Sequence, residues 1–253
     1  MPRLTIDGRT VEVTPGSNLL AATRKLGLDV PALCYFPGLP ASTCCMACVV
    51  KLRAPAGGQG GADGADRIVP ACATPACDGM VVESETAEMH GLRKVALELL
   101  LSDHDGSWSD DPAGRVLACE NGADAAPAPA GQRPSVRPPP FDCDCPKASI
   151  CRLRRYAREY GCRPERYAGA RRSHPRQFEH PEITFDPGKC IMCGICVQLA
   201  QQAGEELGLT LVGRGFDVRL DVPFGGTLAE ALRVAARQIA AACPTSALAQ
   251  KPG

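Results

Sequence analysis

The chain has 253 residues, of which 45% are hydrophobic and only 4% aromatic, with 26 Gly and 23 Pro. This length suits two or three small domains, and the composition predicts a small hydrophobic core in each. The 28 basic residues are balanced by 28 acidic ones, which argues against a dedicated nucleic-acid-binding protein. No run approaches the roughly 18 apolar residues of a membrane span, and no secretory signal is apparent, so a cytoplasmic protein is expected.

Cysteine is the most informative residue type in this composition. The chain has 15 Cys, and they are grouped in short spacings typical of metal ligands rather than of a disulfide-rich secreted domain. In a cytoplasmic protein, thiols are reduced or bound to metal. The groups of Cys therefore predict metal sites.

The first segment, residues 1–84, is predicted to be a β-grasp domain. Alternating apolar runs on either side of Asp7 and Gly8 predict a β-hairpin, because this pair tolerates the positive φ angles of a tight turn. A helix is expected to follow, with Ser17 as its N-cap and Gly27 at its C-terminal end. A hairpin followed by a helix is the opening of a β-grasp domain.

Four Cys of this domain have the layout of a 2Fe-2S site, which is one Cys, a later C-x2-C pair and a distant fourth Cys. The predicted ligands are Cys34, Cys45, Cys48 and Cys72. Cys44 competes with Cys45, but only Cys45 forms a C-x2-C pair with Cys48. The first Cys lies well upstream of the pair, unlike the plant-type C-x4-C-x2-C spacing, and this points to a different branch of 2Fe-2S proteins.

Residues 85–104 are predicted to form a helix, from Thr86 to Ser102, that leads to His104. Its predicted apolar face consists of Met89, Leu92, Val95, Ala96, Leu99 and Leu100. Residues 105–140 then become rich in Ala and Pro, which predicts a low-complexity linker or insertion without a core of its own.

Residues 141–182 contain a second group of Cys and an Arg-rich amphipathic helix. The three Cys are Cys143, Cys145 and Cys151. Three Cys so close together indicate a metal site that lacks its fourth ligand. The candidates for that ligand are His104, Cys119 and Cys162.

Residues 183–253 predict a ferredoxin-like domain with one 4Fe-4S cluster. Cys190, Cys193 and Cys196 form a C-x2-C-x2-C run, and Cys243 is followed by Pro, as the closing ligand of a bacterial-type ferredoxin is. No second Cys triad precedes Cys243, so a single cluster is expected. A zinc site is the alternative, but zinc sites more often pair two C-x2-C knuckles.

The stretch between the C-x2-C-x2-C run and Cys243 is expected to hold a hairpin and one Ala-rich helix. Alternation over residues 209–221 predicts the hairpin. Thr227 and Glu230 form a capping box at the start of the helix. This helix would end by presenting Cys243.

In this order, the three groups of Cys resemble the N-terminal iron-sulfur region of the large subunit of respiratory complex I. They resemble even more the diaphorase iron-sulfur subunit of NAD-reducing hydrogenases and the matching region of NAD-dependent formate dehydrogenases. The resemblance rests on CYFPGL from Cys34, PACATP from Pro70, RLRRYAREYG from Arg152, GRGFD from Gly213 and CPTSAL from Cys243. It implies an α+β chain with a β-grasp 2Fe-2S ferredoxin domain, a small Cys-rich helical 4Fe-4S domain with His/Cys3 ligation, and a ferredoxin-like single-cluster 4Fe-4S domain.

The second cluster is where this chain departs from the family, which binds it with His-x3-Cys-x2-Cys-x5-Cys. Here a long insertion follows His104, and only the spacing from Cys145 to Cys151 is retained. The resemblance implies His104, Cys143, Cys145 and Cys151 as the ligands. Four Cys then remain as reduced thiols, namely Cys44, Cys77, Cys119 and Cys162.

The resemblance implies an electron-transfer subunit with one 2Fe-2S and two 4Fe-4S clusters and no substrate-converting site of its own. The expected partners are a flavin- and NAD(H)-binding diaphorase subunit and a hydrogenase or formate dehydrogenase catalytic subunit, without nucleic acid or a membrane span. The sequence shows no flavin or nicotinamide fingerprint. The alternatives are a freestanding multicluster ferredoxin that shuttles electrons by diffusion, and a zinc-binding structural protein.

Overall fold

The computed structural model describes residues 1–54, 65–104, 145–167, 169, 174 and 178–252. Within these ranges the chain is mixed α/β, with one five-stranded sheet, two two-stranded sheets and six α-helices. Cys119, Cys143 and the predicted linker at 105–140 lie outside the described residues.

The N-terminal unit is a five-stranded sheet covered by one short helix. The strands and the helix are β1 (Arg3–Ile6), β2 (Arg9–Glu12), α1 (Leu19–Lys25), β3 (Val49–Leu52), β4 (Arg67–Pro70) and β5 (Val81–Glu83). The strand order is β2-β1-β5-β3-β4. β1 and β5 are parallel, and the other neighbours are antiparallel. Leu4, Ile6, Leu20, Val50 and Val82 are buried between the sheet and α1.

The turn between β1 and β2 confirms the predicted hairpin. Asp7 and Gly8 have φ angles of 49° and 76°, which are the positive values that a type I′ hairpin turn requires at both central residues. The Asp7 carboxylate also accepts a hydrogen bond of 2.7 Å from the backbone N–H of Ser84. The turn therefore fixes the end of β5 as well as the hairpin.

The predicted N-cap of α1 was wrong by one residue. Asn18, not Ser17, caps the helix, because its side-chain oxygen accepts a 2.9 Å hydrogen bond from the Ala21 N–H. The Asn18 amide also donates a 2.8 Å hydrogen bond to the Cys72 carbonyl. An amide both accepts and donates, so Asn18 ties the start of α1 to a predicted cluster ligand.

The second helix, α2 (Ala87–Ser102), begins at its N-cap Thr86 as predicted. Its predicted apolar face was wrong, since Leu92 and Leu99 are 39% and 52% exposed. The buried side of the helix consists of Met89, Arg93, Leu97, Glu98 and Leu101. Arg93 and Glu98 are thus buried, although the helical pattern of apolar residues predicts that charged side chains of this helix face solvent.

Arg93 is buried because its guanidinium has partners on every side. It donates to the Val49 carbonyl at 3.0 Å, to the Ser84 hydroxyl at 3.0 Å and to the Glu85 carboxylate at 3.1 Å. Burial acts to raise the pKa of Glu85, but the hydrogen bond from His90 and the charge of Arg93 lower it to about 2. The Glu85 carboxylate therefore stays ionised, and the hydrogen bond from Arg93 to the Val49 carbonyl fixes α2 to β3.

Glu98 connects the same helix to the segment that follows α3 (Arg152–Glu159). Its carboxylate accepts hydrogen bonds from the Arg163 backbone N–H at 3.0 Å and the Arg166 guanidinium at 3.1 Å. α2 is thus fixed by buried charges on two sides, to the N-terminal sheet and to the second group of Cys.

The C-terminal segment forms two small antiparallel sheets and three helices. These are β6 (Ile183–Phe185), α4 (Ile195–Gln202), β7 (Thr210–Val212), β8 (Arg219–Asp221), α5 (Leu228–Ala231), α6 (Ala236–Ala242) and β9 (Leu248–Gln250). β6 pairs with β9, and β7 pairs with β8 in the predicted hairpin.

The expectation of one continuous Ala-rich helix was wrong. The capping box of Thr227 and Glu230 is present, but the helix breaks after Ala231 and restarts at Ala236. The Glu205 carboxylate, from another part of the fold, accepts hydrogen bonds of 3.0, 2.8 and 2.7 Å from the backbone N–H groups of residues 233–235. These bonds satisfy the new helix start, so the break costs little.

A second hydrophobic core joins the loops that carry the Cys to α2, α3, α4 and α6. It includes Leu33 and Cys34 from the N-terminal unit, Leu153 from α3, and Leu199 and Ile239 from the C-terminal segment. The three Cys-bearing regions therefore meet around one apolar interior. Across the described ranges, no helix combines the length and the apolar character needed to span a membrane.

We expect Arg93→Met to lower the free energy of unfolding by about 3 kcal/mol or more, because Glu85 would keep its charge while losing its buried partner. Anaerobic denaturant unfolding followed by circular dichroism measures this change.

The matched control is Arg3→Met, which breaks an exposed ion pair of 3.7 Å with Glu12. Exposed pairs contribute little, so a loss below about 1 kcal/mol is expected. Equal losses in the two variants would show that the buried pair does not hold α2 in place.

Candidate iron-sulfur cluster sites

The four predicted 2Fe-2S ligands come together at one end of the five-stranded sheet. Cys34, Cys45, Cys48 and Cys72 are each at most 4% exposed. Cys48 directly precedes β3, and Cys72 follows β4 by one residue beyond Ala71. Because β3 and β4 are antiparallel, the two Cys are brought side by side, and the Ala71 N–H donates to the Cys48 carbonyl at 3.0 Å.

The thiols of this group are in direct hydrogen-bond contact. The sulfur of Cys34 lies within hydrogen-bond reach of the thiols of Cys44, Cys45 and Cys72, and these contacts lower the pKa of Cys34 far below its ordinary value. The same contacts raise the pKa values of Cys44, Cys45 and Cys72, whereas contact with Cys72 lowers that of Cys48 to about 7. Without iron, only some of these sulfurs are therefore favoured as thiolates, and iron binding would release the remaining protons of the ligands.

Cys44 also lies at this site. Its thiol contacts Cys34, as that of Cys45 does, but Cys44 is exposed whereas Cys45 is buried. Contact with Cys34 therefore does not separate the two candidates. The choice of Cys45 rests on its burial and on its C-x2-C spacing with Cys48.

A strained backbone surrounds the Cys of two sites. Of the five non-glycine residues with positive φ in the described ranges, three lie in Cys loops: Thr43 at 54°, Met46 at 48° and Met192 at 53°. Such angles cost energy and are found where a site over-determines the backbone. The two Cys loops therefore hold an imposed backbone conformation, as expected of a site that positions ligands.

The C-terminal group lines a cavity with apolar walls. Its four predicted ligands Cys190, Cys193, Cys196 and Cys243 face the same cavity, together with Phe185, Leu211 and Leu220. Burial raises the pKa values of Cys193 and Cys196. A buried thiolate here needs a compensating positive charge, which iron ions supply on binding. The donor set and the enclosure fit a 4Fe-4S cluster.

Two helix ends meet at this cavity. Gly194, with a φ of 74°, starts α4, so that Cys196 lies in the first helical turn. Cys243 is the C-cap of α6, at the opposite kind of helix end. Its sulfur is 3.6 Å from the hydroxyl of Thr245, which donates to the Lys189 carbonyl at 2.9 Å.

Three of the four predicted ligands of the second 4Fe-4S cluster are described. His104, Cys145 and Cys151 are 5%, 9% and 7% exposed, and Cys143 lies outside the described residues. Cys151 is the N-cap of α3, and its sulfur accepts from the Arg154 N–H at 3.5 Å. Three buried side chains that can bind iron are consistent with a cluster.

The alternative fourth ligand Cys162 lies elsewhere. It is fully buried, its thiol is 3.9 Å from the Lys94 carbonyl, and burial raises its pKa to about 12. Lys94 is eight residues before the end of α2, which is about 12 Å along the helix axis. Cys162 therefore does not share the position of His104. The other alternative, Cys119, is outside the described residues.

The 2Fe-2S loop and the C-terminal Cys loop are in contact. The Cys44 thiol donates to the Met192 carbonyl at 3.5 Å. The Gln198 amide on α4 donates to the Ser42 hydroxyl at 2.9 Å. Residues within three positions of predicted ligands thus touch across the two sites.

The second group of Cys contacts both of these loops through Arg152, the neighbour of Cys151. The Arg152 backbone N–H donates to the Pro244 carbonyl at 2.9 Å, directly after Cys243. Its guanidinium donates to the Leu33 carbonyl at 3.2 Å. All three sites are therefore linked by residues adjacent to their ligands.

His180 is part of the packing of the C-terminal segment. Its Nε2 lies 2.9 Å from the Leu232 carbonyl, and its Nδ1 accepts from the Glu182 N–H at 3.1 Å. These contacts hold the entry to β6 beside the break between α5 and α6.

In the described part of the chain, no three His, Cys, Asp or Glu side chains are arranged as ligands of a single metal ion.

Comparison with known families matches both ends of the chain. A 2Fe-2S iron-sulfur cluster binding domain matches residues 2–87, and a 4Fe-4S single cluster domain matches residues 183–249. The chain therefore contains a 2Fe-2S domain and a 4Fe-4S domain, as predicted.

Known proteins match over almost the whole chain. The NADP-reducing hydrogenase subunit HndD of Solidesulfovibrio fructosivorans is 31% identical over 99% of this chain and 36% of its own length. A subunit of the NADH-quinone oxidoreductase of Rhizobium meliloti is 28% identical over 100% of this chain and 24% of its own length. A crystal structure of NAD+-reducing [NiFe]-hydrogenase in the H2-reduced state aligns with a TM-score of 0.72 and 25% identity, covering 100% of this chain and 88% of that one.

The chain is homologous to subunits of NAD(P)-linked hydrogenases and NADH-quinone oxidoreductases. The resemblance predicted from the Cys groups is thereby confirmed. The chain spans about a third or less of the two curated relatives described, at 36% and 24% of their lengths.

Replacing Cys45 by Ala should abolish the 2Fe-2S signal, because it removes a buried ligand, whereas Cys44→Ala should retain it. Low-temperature EPR after dithionite reduction, with iron analysis, measures both. The loss expected for Cys45→Ala is about two irons per chain.

Cys77→Ala is the control, since Cys77 is exposed and its thiol is 3.9 Å from the Pro75 carbonyl. If Cys44→Ala loses the signal and Cys45→Ala keeps it, the ligand assignment must be exchanged between these neighbours.

Proposed function

We propose that this chain is an iron-sulfur electron-transfer subunit that relays electrons through one 2Fe-2S and two 4Fe-4S clusters within an NAD(H)-linked oxidoreductase complex. The observation that carries the proposal is that members of all three Cys groups are buried in one apolar core, namely Cys34 and Cys45, Cys151, and Cys193 and Cys196. The sheet order of the N-terminal unit supports a β-grasp fold, and the cavity closed by Cys243 supports a ferredoxin-like fold around a single cluster.

The proposed ligands form three sets. They are Cys34, Cys45, Cys48 and Cys72 for the 2Fe-2S cluster; His104, Cys143, Cys145 and Cys151 for one 4Fe-4S cluster; and Cys190, Cys193, Cys196 and Cys243 for the other. Bound clusters supply the capacity to accept and release single electrons. The chain contributes thiolate and imidazole ligands, excludes water through the apolar walls, and tunes each potential through nearby hydrogen bonds and charges.

We infer that the spatial order of the sites differs from their order in the sequence. The C-terminal site contacts the 2Fe-2S loop through Met192 and the second 4Fe-4S segment through Pro244. Each of these residues is adjacent to a proposed ligand of the C-terminal cluster. The second 4Fe-4S segment also contacts the 2Fe-2S loop, but only through the long side chain of Arg152 at the Leu33 carbonyl. The C-terminal segment is joined to the 2Fe-2S loop by two hydrogen bonds and to the second 4Fe-4S segment by several others. We therefore place the C-terminal site between the other two in the proposed path, although it comes last in the chain.

The partners are proposed from the homology. Relatives named as subunits of hydrogenases and NADH-quinone oxidoreductases favour a role inside a complex over a freestanding ferredoxin. We propose a flavin- and NAD(H)-binding diaphorase subunit at one end of the path and a hydrogenase or formate dehydrogenase subunit at the other. The cytoplasmic location and the domain boundaries stay predictions.

The first test is to measure iron and acid-labile sulfide in anaerobically purified protein, with EPR after dithionite reduction. About ten irons per chain, with one 2Fe-2S and two 4Fe-4S signals, are expected. About six irons with a single 4Fe-4S signal would contradict the second 4Fe-4S site. A colourless protein that contains zinc would contradict the whole proposal.

The assignment of His104 is tested by two matched variants. His104→Ala should lose the signal of one 4Fe-4S cluster, because it removes a ligand, whereas Cys162→Ala should retain both signals. EPR and iron content are again the measurements. The opposite result would make Cys162 the fourth ligand and require the segment around Cys162 to move from α2.

A further inference from the structure

Lys147 is a buried cation between the two 4Fe-4S sites. Its side chain belongs to the Cys145–Cys151 segment but points into the C-terminal segment, and the residue is only 8% exposed. The Lys147 ammonium donates hydrogen bonds to the carbonyls of Ala240 at 2.6 Å and of Cys243 at 2.8 Å. Cys243 is the proposed closing ligand of the C-terminal cluster, so the positive charge lies next to that ligand.

The dipole of α6 explains why a positive charge is favourable beside the carbonyls at its C-terminal end. The C-terminal carbonyls of a helix carry partial negative charge, which disfavours a further negative group beside them. Cys243 is the C-cap of α6, and as a cluster ligand it would place a thiolate at this negative end. By contrast, Cys196 and Cys151 lie at helix N-terminal ends, where negative charge is favoured. Lys147 compensates the one ligand that has an unfavourable helix end.

The surroundings of the ammonium agree with this. Cys243 and Cys151 both lie close enough to Lys147 for their charges to act on its ammonium. Each of these two Cys is a proposed ligand of a different 4Fe-4S cluster. Arg152 is the positive group that faces Lys147, and its guanidinium is turned to the Leu33 carbonyl instead.

We propose that Lys147 is a positioning residue that raises the reduction potential of the C-terminal 4Fe-4S cluster through its positive charge at the Cys243 end of α6. Reduction adds one electron, so a fixed buried cation stabilises the reduced form more than the oxidised form. The electron comes from a neighbouring cluster and no bond is made or broken. This inference rests on the proposed function, because it requires clusters at the sites of Cys243 and Cys151.

The test compares Lys147→Gln with Lys147→Met in the full chain, by redox titration monitored by EPR. Gln removes the charge but keeps an amide donor for the carbonyls, whereas Met removes both. We expect the potential of the C-terminal cluster to become more negative in both variants at full iron content. Repeating the titration with His104→Ala in the background leaves one 4Fe-4S signal and identifies which cluster shifts.

Lys25→Met is the control, since Lys25 is exposed and its ammonium donates to the Glu12 carbonyl in the N-terminal unit. No shift is expected there. An unchanged potential in Lys147→Gln at full iron content would overturn the proposal, and so would an equal shift in Lys25→Met. Loss of the cluster from both Lys147 variants would assign Lys147 a purely structural role and overturn it as well. Absence of two 4Fe-4S signals from the unaltered chain would instead refute the proposed function.

Discussion

The constraint on which the rest of this structure depends is the burial of many Cys, which would be thiolates as cluster ligands, in a small apolar interior. Desolvation disfavours each thiolate, and burial raises the pKa values of Cys193 and Cys196 accordingly. The fold offers compensation from two sources: the helix N-terminal ends at Cys151 and Cys196, and the ammonium of Lys147. Bound iron would complete this balance.

The same interior must also hold three segments that are distant in the sequence at fixed positions. α2 does this with paired charges instead of a continuous apolar face. Arg93 fixes it to β3, and Glu98 fixes it to the segment after α3. Buried ionic contacts are directional, whereas apolar contacts tolerate sliding, so they set the register between the N-terminal unit and the second group of Cys. His104 follows directly from the end of this helix.

Local features of the fold were predictable because they depend on local chemistry. The Asp7-Gly8 turn, the capping box at Thr227 and the start of α2 each follow from a few neighbouring residues. Apart from the N-cap of α1, which is Asn18 and not Ser17, the errors arose where distant groups decide the structure. Arg93 is buried by partners on β3 and before α2, and Glu205 interrupts the Ala-rich helix with three hydrogen bonds from outside it. Neither partner can be found from periodicity, because neither lies on the element it controls.

At the candidate site, too, the local spacing of the ligands could be predicted from the sequence, but their arrangement in space could not. Spacing identifies the groups of Cys, since ligands from one loop must be close in sequence, but it contains no information on which group lies beside which. That arrangement depends on backbone contacts such as those of Met192 and Pro244, whose carbonyls accept hydrogen bonds whatever their side chains are. The burial of Lys147 could not be predicted either, because a single Lys in a polar stretch is expected to be solvated. Only the fold shows that its ammonium donates to two buried carbonyls. The proposed order of the relay and the proposed effect of Lys147 therefore depend on the folded chain, whereas the proposed ligands follow from spacing in the sequence.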